Sequence, residues 1–104
     1  MRNVVITDTA EGELRLIAEY LSFYGAQTAN SFIEAVQDKI AMLEEGVVEF
    51  PLARDSDLAQ AGYRTVLIGN YLMLYGVADN GEVYIAHLFH QSQDYAALVI
   101  EIAC

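Results

Sequence analysis

"YRTVLIGNYLMLYGVADNGEVYIAHLFH", Tyr63 to His90, decides the fold. Its runs YRTVLI, YLMLYGVA and EVYIAHLFH are separated by Gly69-Asn70 and by Asp79-Asn80-Gly81. Short runs of β-branched and aromatic residues bounded by glycine and asparagine alternate strand and turn, and Asn-Gly is the strongest short hairpin signal. The stretch predicts a three-stranded antiparallel meander. If Gly69-Asn70 is a two-residue turn, Ile68 faces Tyr71, Val66 faces Met73 and Arg64 faces Tyr75. If Asn80-Gly81 is another, Tyr75 faces Ala86 and Tyr71 faces His90. Arg64, Tyr71, Tyr75 and His90 then line one face, while His87 points to the other. A one-residue shift in the second turn exchanges the two histidines between faces.

Towards the N-terminus the period changes. Asn3 to Thr7, NVVIT, is a short strand, and DTAE follows as a capping-box-like helix start with Asp8 as N-cap and Glu11 three residues on. Leu14, Ile17, Leu21 and Tyr24 recur at helical spacing and end near Gly25. A second helix from about Gln27 to Glu45 carries Ala29, Phe32, Ile33, Val36, Ile40 and Leu43 and stops at Gly46. The tight connection makes an αα-hairpin. Phe50 to Gly62 reads as a loop with room for one helical turn. The tail DYAALVIEIAC fits a short helix capped by Asp94 or a further strand, the helix being preferred. The order is β-α-α-β-β-β, an α+β architecture with the α-hairpin on one face of an antiparallel sheet.

The totals agree with one domain over residues 1–104. A hydrophobic fraction of 55% argues against disorder. No stretch has the length of a membrane span, and the N-terminus lacks a signal-peptide pattern, so a cytoplasmic protein is the simplest expectation. A single cysteine, Cys104, excludes an intrachain disulfide and a multi-cysteine metal site. Fifteen acids against five bases give a formal net charge of −10. Such a chain is repelled by nucleic acid, and Arg2, Arg15, Lys39, Arg54 and Arg64 are too scattered to form a basic patch. The acidity serves solubility or a basic partner surface. His87 and His90 are separated along a strand, which argues against a two-histidine metal site, and no cofactor is expected.

The segment VYIAHLFHQSQDY, Val83 to Tyr95, looks like the end of a site for a phosphate or a protein partner with the cations removed. Together with TDTAEGELRLIAEYL, SFIEAVQDKIAML and YRTVLIGNYLMLYGV, it resembles the RelE/ParE superfamily of bacterial type II toxin–antitoxin modules, often called plasmid stabilisation proteins. The resemblance covers nearly the whole chain. It implies a toxin, a cognate antitoxin as partner, and a cellular target. A homodimer stays open. The departures concern charge. The family's Tyr-Arg-Val reads Tyr75-Gly76-Val77, its strand arginine falls on His87, and the arginine of its His-x-Arg-x-Asp falls on Ser92. Where ribonuclease members place an arginine after the tyrosine that opens the middle strand, this chain has Tyr71-Leu72.

Metal-free RNA cleavage needs a base, an acid and cations for the phosphorane. The residues left for catalysis or target binding are Arg64, Tyr71, Tyr75, His87, His90 and Tyr95. Each has a structural alternative: Arg64 stacking on Tyr75 or pairing with an acid, His90 as a hydrogen-bonded strand end, and the tyrosines as packing. The aliphatic YLMLY resembles the ParE-like branch, which acts by protein binding, with DNA gyrase as the characterised target. The leading expectation is therefore a protein-binding toxin neutralised by an antitoxin. The alternatives are a ribosome-dependent endoribonuclease using Arg64, His90 and Tyr95, and a non-toxic relative.

Overall fold

Antiparallel pairing of the meander organises the molecule. In the computed structural model, which describes residues 3–46 and 50–91, β1 (Val4–Ile6), α1 (Asp8–Ser22), α2 (Ala26–Glu45), α3 (Ser56–Gln60), β2 (Arg64–Ile68), β3 (Tyr71–Val77) and β4 (Val83–His90) follow in order. The first hairpin has the expected register: Arg64 faces Tyr75, Val66 faces Met73 and Ile68 faces Tyr71. The second does not turn on Asn80-Gly81 alone. Val77 pairs with Val83, the Ala78 N–H donates to the Glu82 carbonyl at 2.8 Å, and Gly81 takes a positive φ of 88°. That longer loop moves the register by one, so Tyr75 faces Ile85 rather than Ala86. Ala86 is then the extra residue of a β-bulge. Beyond it the register is the expected one again, with Leu74 opposite His87 and Tyr71 opposite His90.

β1 completes the sheet from the other side, in the order β1-β4-β3-β2. It runs parallel to β4, with Val4, Val5 and Ile6 opposite Val83, Tyr84 and Ile85. The sheet is thus mixed rather than wholly antiparallel. The helical hairpin between β1 and β2 supplies the crossover. Thr7, not Asp8, is the N-cap of α1. Its hydroxyl accepts the Ala10 N–H at 3.2 Å and donates to the Ile85 carbonyl at 2.8 Å. Asp8 and Glu11 lie in the first turn, where carboxylates complement the helix dipole. Gly46 closes α2 in the left-handed conformation at φ 72°.

The main core lies between the α-hairpin and the inner sheet face. Ala10, Phe32, Val36 and Leu43 meet Val66, Ile68, Met73, Tyr75, Val83, Ile85 and Leu88. On the outer face, Ala53, Leu58, Leu74 and Phe89 form a smaller cluster with Tyr63. Leu58 reaches it from α3, whose N-cap Asp55 accepts the Asp57 and Leu58 N–H groups at 3.0 and 3.1 Å. No helix among the described residues is long and apolar enough to cross a membrane. The tail, with Asp94, Tyr95 and Cys104, lies outside the described residues.

Candidate functional site

Arg64, Tyr71 and Tyr75 share the inner face through the first hairpin and His90 joins them by pairing with Tyr71, but the four do not converge. Tyr71 and Tyr75 are about 13 Å apart along β3, at roughly 3.3 Å per residue. At the first end, the Arg64 guanidinium donates to the Phe50 carbonyl through Nη1 at 2.6 Å. The Phe50 N–H donates to the Tyr75 hydroxyl at 3.4 Å, and the Phe50 and Tyr75 rings meet edge to face at 6.4 Å. Tyr75 is only 1% exposed. Both residues hold the incoming loop against the sheet.

At the second end, Tyr71 stands between Phe32 and His90, with ring centroids 5.0 and 5.3 Å away and both contacts edge to face. Gln91 closes this end through its N–H to the Asn70 carbonyl at 2.8 Å and through Nε2 to Asn70 Oδ1 at 3.4 Å. The Tyr20 and Tyr24 hydroxyls of α1 and the helical turn are 3.2 Å apart. That hydrogen bond, with the charges of Tyr24 and Tyr71, pushes the Tyr20 phenol above its ordinary value. The end is therefore an aromatic cluster with one imidazole. Arg64 belongs to the opposite end, so it and His90 form no joint catalytic pair, and Tyr95 lies outside the described residues.

Three of the expected cations are replaced on the outer face, and the fourth position, Ser92, lies outside the described residues. Leu72, Gly76 and His87 all fall on that face, since Leu72 and Leu74 alternate with the inward Met73 and Tyr75, and His87 faces Leu74. Leu72 faces Leu67 across the first hairpin. Gly76 faces Tyr84, and the Tyr84 hydroxyl lies 2.5 Å from where a Cβ on residue 76 would sit. The tyrosine ring thus occupies the space that a side chain at 76 would use. Burial first, and then the hydrogen bond with Tyr63, push the Tyr84 phenol up to about 12.

His87 is 7% exposed and stacks on Phe89 with centroids 5.1 Å apart. Its Nδ1 lies 3.2 Å from Glu13 Oε1, and the same oxygen accepts the Leu88 N–H at 3.0 Å. Glu13 was not among the sequence candidates: it is one more acid on an amphipathic helix, with no local signal of a partner 74 residues away. Its carboxylate covers a backbone donor on β4 beyond the three-residue reach of β1.

Beside this face a groove of about 660 Å³ is lined by Pro51, Leu52, Arg54, Leu67, Leu72 and Gln91, among others. Leu52 and Leu67 are exposed, and Arg54 is its one cation among the described residues. No group of three or more histidine, cysteine, aspartate or glutamate residues suited to a metal occurs among the described residues. An apolar trough with a single cation can bury an aliphatic segment of a protein.

Comparison with known proteins leads to the same family. A family model described as the ParE toxin of the type II toxin–antitoxin system parDE matches residues 4–95. A solved structure titled "Chromosomal ParDE TA system from P. aeruginosa" is similar, with a TM-score of 0.69, 15% identity, and coverage of 86% of this chain and 96% of that chain. At that identity the likeness is one of fold. No curated protein matches. The family match spans all seven elements of the described fold, and the chain belongs to the ParE toxin family of type II toxin–antitoxin systems.

Proposed function

We propose that this toxin acts by binding a protein and not by cutting RNA, and that a cognate antitoxin neutralises it by direct contact. DNA gyrase is the first target to test, and the cytoplasm is where both would be met. The observation that carries the reading is the chemistry of the outer face. Leu72 stands where ribonuclease members place an arginine, and Gly76 and His87 stand where the resemblance expects arginines of the family as a whole; each is accounted for by apolar packing, by Tyr84, or by Glu13. Leu67 and Leu72 flank the groove and are the residues proposed to meet the partner.

The test uses the purified chain in two assays run side by side. One is gyrase-catalysed DNA supercoiling. The other is messenger RNA integrity in a translating extract. Inhibition of supercoiling with intact message is the expected result. Cleaved message that disappears with Arg64→Ala or His90→Ala would overturn it in favour of a ribonuclease.

A further inference from the structure

The outward face of α1 is apolar where a surface helix is ordinarily polar. Ala10, Leu14, Ile17 and Leu21 already turn to the core. Yet Leu16, Tyr20 and Phe23 are 68%, 53% and 82% exposed, with Tyr24 at 68% beside them. At 100° per residue, Leu16, Tyr20 and Phe23 fall on one stripe, which continues through Gly12. The Tyr20 and Tyr24 rings meet edge to face at 5.5 Å, so the aromatic end of the stripe is braced. At its other end a depression of about 470 Å³ is lined by Asp8, Gly12, Glu13, Leu16 and Glu19, with Thr9 and Arg15. Nothing lies within 4 Å of where a Cβ on Gly12 would sit, so a partner's side chain can approach the helix backbone there. Arg15 lies 3.5 Å from Glu11, which leaves Asp8 and Glu19 as the charged rim.

We infer that this face is a docking surface for a basic amphipathic helix of a partner protein. The stripe is straight and spans about 10 Å at 1.5 Å per residue, a length that a helix laid along it matches with anchors at i, i+4 and i+7. The acidic rim selects lysine or arginine on the flanks of that helix. A second copy of this chain does not fit, because it would bring the same acids and a further formal charge of −10. Nucleic acid is repelled by the same rim. The surface lies on the α-hairpin, away from the outer-face groove, and the inference is independent of which protein the toxin acts on.

The test is fluorescence anisotropy of a labelled Leu/Lys helical peptide of about 18 residues, long enough for five turns, titrated with the full chain. Micromolar binding is expected. Leu16→Ser with Phe23→Ser is expected to weaken it at least about tenfold, and so is Asp8→Lys with Glu19→Lys. Glu34→Lys with Glu45→Lys makes the same change in net charge on α2 and is expected to alter binding less than about twofold. A scrambled peptide of equal composition, without an amphipathic face, is expected to bind at least about tenfold more weakly. All substituted residues are on the surface, and circular dichroism checks that each variant folds. Equal loss with the α2 pair, equal binding of the scrambled peptide, or no binding at all would overturn the inference. So would a dimer of the chain alone that Phe23→Ser dissolves in sedimentation.

Discussion

Gly76 lacks the expected cation and also has a structural partner. In the sequence it is a missing cation. In the structure it is half of a pair, because the Tyr84 hydroxyl lies 2.5 Å from the Cβ position that any other residue would fill. Gly76→Arg is expected to cost about 1–3 kcal/mol as the tyrosine is driven off. In a Tyr84→Ala background the cost should shrink, and a urea-unfolding double-mutant cycle measures the coupling. Tyr84 also sets an alkaline limit. Its folded pKa is raised above the ordinary phenol value of 10.0 to about 12, so the folded state holds the phenolic proton more tightly. The stability this provides is fully present below pH 10 and is lost as pH rises through about 12. Wild type is expected to lose more stability than Tyr84→Phe over that window, read from urea midpoints. Glu13 was illegible for a different reason: its partners, His87 and the Leu88 N–H, are brought to it only by the tertiary fold. Glu13→Ala leaves a buried imidazole and a backbone donor without that carboxylate, and is expected to cost about 1–3 kcal/mol in urea unfolding.

At the scale of elements, what could be read depended on whether the signal was local. Gly69-Asn70 sets the first hairpin by itself, and the register from Arg64–Tyr75 to Ile68–Tyr71 follows from counting. The second hairpin contains two departures that compensate, a longer loop at Ala78–Glu82 and the extra residue Ala86. Counting from Asn80-Gly81 therefore places His90 correctly opposite Tyr71 and Tyr75 incorrectly opposite Ala86. The α1 start offers two cap residues in succession, and the sequence pattern favours Asp8. Thr7 takes the role because its hydroxyl also reaches the Ile85 carbonyl on β4. Thr7→Ala is expected to lower the stability by about 1 kcal/mol or more in urea denaturation, and Asp8→Ala by a few tenths. A reversed order of these two would contradict the cap assignment.

For the molecule as a whole, the order of elements and the α-hairpin over a meander were legible because each rests on periodicity within one segment. The parallel pairing of β1 with β4 was not, since nothing in NVVIT states which edge it joins. The candidate site was legible as a set of residue types and not as a place. Arg64 and Tyr75 anchor Phe50 at one end, Tyr71 and His90 pack at the other, and the surface proposed to bind a protein is the outer face. The most direct measurement is growth of bacteria on induced expression of the chain, comparing Leu67→Glu with Leu72→Glu against Arg64→Ala with His90→Ala, each checked for soluble protein. Wild type is expected to arrest growth, the leucine pair to abolish arrest, and the Arg64 and His90 pair to retain it. Arrest that survives the leucine pair and vanishes with the Arg64 and His90 pair would contradict protein binding through the outer face, as would normal growth of the wild type despite abundant soluble protein.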